Sequence, residues 1–173
     1  MLSFLFLLMQ LSLMSQSPTL TEMRSMYGYS IQDQDQAEAY YEKMTALQNK
    51  NALQKAYAGA AAALMGKHVF SPLKKLDYLA EADALFKEAV LADPSNPEIR
   101  FLRYSYQHYL PGFLGYSGDI ESDQATMLSA LRQRTEELRK DELLFVTMVR
   151  FLLDGKRCDS ADNEFLQKLL SQS

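Results

Sequence analysis

The sequence predicts an all-α fold, a compact bundle of about six to eight helices, and three observations carry that expectation. Apolar residues recur at intervals of three and four along most of the chain, and no segment sustains an alternation of period two. Seven Gly and five Pro in 173 residues are too few for an all-β chain, which needs turn residues about every ten positions. A hydrophobic share of 47% is enough for one sizeable core and argues for a single domain.

The chain opens with Met1 to Met14, rich in Leu, Phe and Met and without a charged side chain. This run is shorter than the about 18 to 20 apolar residues a spanning helix needs, so it reads as the hydrophobic region of a signal peptide. Residues 1–15 are expected to be cleaved near Ser15-Gln16-Ser17, and 16–21, with Pro18, form a short tether. Residues 22–173 form a single helical domain that is exported, periplasmic or secreted. The alternatives are a membrane anchor formed by an uncleaved N-terminus and an N-terminal helix packed on the domain.

Helical spacing of Leu20, Met23, Met26 and Tyr27 predicts a first helix over Thr21 to Ile31. Asp33 and Asp35 suit the start of the next, whose apolar side carries Ala37, Tyr40, Tyr41, Met44 and Leu47. Asn49 to Asn51 break the pattern before a helix from Ala52 to Lys67. Its Ala56, Gly59, Ala60, Ala63 and Gly66 make a small-residue seam that lets a neighbouring helix approach closely. Ser71 caps, and Pro72 opens, a long helix to Ala92 that Asp93-Pro-Ser-Asn-Pro97 ends. An aromatic and basic helix follows from Glu98 to Tyr109, stopped by Pro111-Gly112. Ser117 is the expected cap of a helix running to about Arg139, Leu143 to Leu153 reads as a central buried helix, and Asp162 to Leu170 closes the chain.

Ala82, Phe86, Ala89 and Pro94, followed by Ser95-Asn96-Pro97-Glu98, resemble the second half of a tetratricopeptide repeat. The resemblance implies close packing at the small residues and a groove filled by the aromatic. Gly66 and Phe70 depart from the family's first half and no second copy follows at 34 residues, so it implies a TPR-like helical hairpin and not an array. Ala56-Tyr-Ala-Gly-Ala, Gly66-Lys-His, Lys75-Leu-Asp-Tyr, Pro97-Glu-Ile-Arg-Phe-Leu-Arg and Pro111-Gly-Phe-Leu-Gly-Tyr are similar to small, uncharacterised exported helical proteins of Bacteroidetes-type bacteria. That resemblance implies export and fold, and carries no site residue.

Eighteen Lys+Arg against 22 Asp+Glu leave a net charge of −4, which offers nucleic acid no overall attraction. Cys158 is the lone cysteine, so neither an intrachain disulfide nor a multi-cysteine metal site can form. It reads as a solvent-exposed bystander, although Arg157 beside it could favour a thiolate. His68 and His108 stand forty residues apart, each near a helix C-terminus, in no zinc pattern. Glu38 and Met44 occupy positions that a calcium loop starting at Asp33 needs for Gly and a bidentate acid. Gly115-Tyr-Ser-Gly-Asp lacks the second glycine and the preceding strand of a nucleophile elbow. No cofactor and no metal are expected.

The remaining feature is the set Arg100, Arg103, Tyr106, Tyr109, Phe113 and Tyr116, on the aromatic helix and the loop after it. Tyr and Arg bind partners well because they offer large area at modest entropic cost. The set predicts a groove wall that takes a protein or peptide, hence a non-enzymatic interaction or scaffolding module. The competing reading folds Phe113, Leu114 and Tyr116 inward with the arginines paired to acids. Two rivals remain: a small enzyme using Arg103, His108 and an acid such as Asp119, and a membrane-tethered structural protein.

Overall fold

Most helices start where the sequence places a short polar side chain that can accept from a free backbone N–H. The computed structural model, which describes residues 17–172, has nine α-helices and one 3-10 turn, and such caps start seven of the nine. Thr19 and Glu22 form a reciprocal capping box for α1 (Leu20–Ser30), and Asp33 caps α2 (Gln34–Ala46). Asn51 and Gln54 form a second box at α3 (Ala52–His68), and Ser71 with Pro72 starts α4 (Pro72–Ala92). Asn96 accepts from two amides of α5 (Pro97–His108), and a 3-10 turn, Gly112–Leu114, lies in the loop that follows. The rest is α6 (Ile120–Gln133), α7 (Thr135–Leu138), α8 (Glu142–Asp154) and α9 (Ser160–Ser171). The chain is all-helical among the described residues, as the periodicity predicts.

The export segment expected at 1–15 lies outside the described residues, and Pro18, within the expected tether, is buried. Among the described residues no helix is long and apolar enough to cross a membrane.

The small-residue seam does what its geometry predicts. α3 and α4 form a long, close antiparallel hairpin, and α3 also packs on α1, α2 and α5. A Cβ at Gly59 would stand 3.2 Å from the Ala82 carbonyl oxygen and 3.4 Å from the Phe86 ring, so the α4 backbone sits where a side chain would be. Phe86, Ala82 and Ala89 are fully buried in that interface. Gly59→Val is therefore expected to destabilise the protein by about 3 kcal/mol through forced separation of the two helices. Urea unfolding measures this, and a change below about 0.5 kcal/mol would contradict the close approach.

Three expectations need correction. The segment 117–139 is not one helix, because the backbone leaves helical geometry at Arg134 (φ −129°, ψ 32°), separating α6 from α7. Ser117 does not cap α6: Asp119 holds that position, and its carboxylate turns to Arg103 instead of the helix amides. The segment Leu143 to Leu153 is not central. α8 buries one side through Phe145, Met148, Val149 and Leu152, packing on α9 and, through Phe151, on Phe101 and Tyr104 of α5, and leaves Leu143 exposed. The central helices are α3 and α5, with ten of 17 and ten of 12 residues buried; short side chains on α3 let its neighbours crowd in.

Candidate functional site

On α5, Arg100 and Arg103 lie three residues apart and so share one side, which faces α6. Asp123 of α6, with no solvent exposure, receives both. Arg103 donates from Nε to Asp123 Oδ2 at 2.8 Å and from Nη2 to Oδ1 at 2.7 Å, a two-pronged pairing that fits the planar guanidinium. Its Nη1 lies 3.1 Å from Asp119 Oδ2. Arg100 donates from Nη1 to Asp123 Oδ1 at 2.8 Å and from Nε and Nη2 to the Pro94 carbonyl at 2.9 and 2.7 Å. Every guanidinium nitrogen of the pair therefore has a partner inside the molecule.

A second ion cluster lies at the N-terminus of α5, in the same first turn as Arg100. Buried Glu98 takes a two-pronged pair from Arg24 of α1, at 2.8 and 2.7 Å, and accepts the Tyr57 hydroxyl of α3. Arg24 also pairs with Asp141, which caps α8. Hydrogen bonding to Glu98 holds the Arg24 guanidinium firmly charged, and burial, followed by the Glu98 charge, pushes the Tyr57 phenol up. Both are fixed structural partners at physiological pH.

The six residues expected at a partner site divide by depth. Arg103 and Tyr106 are buried and Arg100 is half-buried. Tyr106 donates its hydroxyl to the Leu79 carbonyl at 2.8 Å and packs its ring at a tilt against Phe86 and Tyr116. Tyr116 is half-buried, returned to the body by Gly115, whose φ of +77° suits glycine. Tyr109 and Phe113 point outward, 76% and 87% exposed. The competing reading is thus right for the arginines, while Phe113 stands free of the body and Leu114 is half-buried.

His108 does not join Arg103 and Asp119. Its ring stacks on Tyr104 and meets the edges of Phe151 and Tyr109. Burial, and then the nearby Arg157 charge, lower its pKa. The unfolded chain then takes up the proton first, so the folded protein loses stability as pH falls through the ordinary histidine value of about 6.5. His108→Phe keeps the stacking without the titration and is expected to flatten that slope in unfolding curves across that pH range. Equal slopes in both proteins would contradict the assignment.

Cys158 is half-buried and its thiol is pushed up, first by burial and then by Asp162 and Asp159. Arg157 beside it therefore does not yield a thiolate. His68 bonds the Ser30 carbonyl of α1 and not its own helix end. Among the described residues no group of three or more His, Cys, Asp and Glu is placed to hold a metal ion. Two open clefts of 620 and 480 Å³ run beside α6, lined by residues including Ser129, Arg134, Gln124 and Arg157, and neither contains Arg103 or His108.

Glu98, Arg24, Tyr57 and Asp123 were not legible as a set. Glu98 stands in sequence only as part of a helix start, and nothing local marks Arg24 as its partner. The spacing of Asp119 and Asp123, four residues apart on the helix after Arg100 and Arg103, was the available signal. Comparison with family models, with curated proteins and with solved structures finds no match for this chain in any of the three.

Proposed function

We propose that this chain is a non-enzymatic, exported interaction module that binds a protein or peptide through the loop carrying Tyr109 and Phe113. Tyr106, Tyr116 and Arg103, through Asp119, form the base of that loop, and Arg100 ties α5 to α6 further along the helix. The observation that carries the reading is the exposure of two aromatic side chains, at 76% and 87%, on a loop held between two anchored helices. Rigid, exposed aromatics lose little entropy on docking and supply large contact area. Export rests on the uncharged, hydrophobic Met1 to Met14. The TPR-like hairpin is supported by the burial of Ala82, Phe86 and Ala89 against α3.

Capture from host envelope extract tests this reading. Tyr109→Ser with Phe113→Ser is expected to abolish a capture seen with the wild type. The same pair should change stability by less than about 0.5 kcal/mol per site, since both side chains face water. Identical capture by wild type and the double variant would overturn the assignment.

A further inference from the structure

The tip of the α3–α4 hairpin combines two features that the loop after α5 does not explain. Phe70, Leu73 and Leu76 are 93%, 75% and 46% exposed; Phe70 lies in a chain reversal of only three residues, 69–71, and the two leucines follow it in the first turns of α4. Such side chains on a convex turn have no groove of their own to fill, and neither of the two clefts beside α6 is lined by them.

The second feature is charge. Residues 43–76 contain six lysines, at positions 43, 50, 55, 67, 74 and 75, and no Asp or Glu, within a chain of net charge −4. Three of them, Lys67, Lys74 and Lys75, surround the exposed apolar residues. Lys67 donates to the Ile31 carbonyl and Lys75 to the Lys67 carbonyl at 3.5 Å, so both ammonium groups lean on backbone and not on acids. Among the described residues none of the three forms an ion pair with a carboxylate. Asp33, two residues past Ile31, uses its carboxylate to accept the Gln36 amide.

We propose that this tip is a peripheral membrane-docking site for an anionic lipid surface, with Phe70 and Leu73 entering the headgroup–acyl boundary and Lys67, Lys74 and Lys75 meeting lipid phosphates. A fluid bilayer conforms to a convex tip, whereas a folded protein partner needs a complementary hollow. Apolar insertion and basic attraction are each weak and reversible alone, and together they give useful partitioning. Each lysine near an anionic leaflet contributes about fivefold.

The chain contains no Trp, so Phe70→Trp places a unique fluorescent reporter at the tip of the full chain. Leu91→Trp, at an 86% exposed position at the other end of α4, is the control. With vesicles of phosphatidylglycerol and phosphatidylcholine, Trp at position 70 is expected to shift to the blue and to be quenched by brominated acyl chains. Trp at position 91 is expected to do neither. Adding Lys74→Glu to Phe70→Trp should weaken partitioning by at least about fivefold, and raised salt should do the same. Vesicle binding without any response at position 70 would place attachment elsewhere on the chain and overturn the proposal. An equal response with pure phosphatidylcholine would overturn its electrostatic part. A concentration-dependent blue shift without vesicles would replace the bilayer with a second copy of this chain. None of these results touches capture through Tyr109 and Phe113.

Discussion

Asp123→Ala is expected to cost about 3 to 5 kcal/mol, the largest loss of any single substitution considered and a large fraction of the about 5 to 15 kcal/mol that ordinarily holds a domain folded. Asp123 is fully buried and receives two guanidinium groups, and the Arg103 side chain is itself only 5% exposed. Removing the carboxylate leaves Arg103 with Asp119 alone, at 3.1 Å. The ion cluster need not be a strong net stabiliser for this to hold, because breaking one partner strands a buried charge. The variant Arg103→Met with Asp123→Leu is therefore expected to recover most of the loss. Urea unfolding of the three proteins checks both statements, and a loss below about 1 kcal/mol for Asp123→Ala would show that the pairing is not needed.

Glu98→Ala should cost about 3 kcal/mol by a related route, with a more local signature. Glu98 is the only acceptor shared by Arg24 of α1 and Tyr57 of α3 among their hydrogen bonds, so it ties the first helix to the central one. Its loss leaves the Tyr57 hydroxyl buried without that acceptor and frees Arg24 to follow Asp141. Amide exchange is expected to rise first across α1 and much less in α4. A double-mutant cycle with Arg24→Met should show coupling of more than about 1 kcal/mol, and additivity would contradict the bridge.

These effects mark where the sequence was readable. Helix starts were readable at Ser71, Asp33 and Pro72 because a cap acts within three residues, so its partners lie in the same stretch of sequence. The glycine seam was readable for a similar reason: Gly59 and Gly66 state how close a neighbour can come without naming it. What α8 packs against was not, since an apolar stretch does not say how many sides its neighbours cover, and Leu143 ended in water. The arginines were recognised as unusual, but whether they faced a partner or Asp123 depended on the docking of α6, a non-local fact. Tyr109 and Phe113 show the reverse. Their exposure follows from the turn at Gly112–Leu114 and the left-handed Gly115, which return the chain at Tyr116 and leave the preceding aromatics outside.

Phe113 is proposed to meet a partner while the arginine network between α5 and α6 is structural. A photo-crosslinking residue, p-benzoylphenylalanine, installed in place of Phe113 in the native host tests it most directly, with the same residue at Leu91 as the control. A discrete protein adduct is expected from position 113, lost with Tyr109→Ser and absent from position 91. No adduct from position 113 in a folded, exported protein, or the same adducts from both positions, would contradict it.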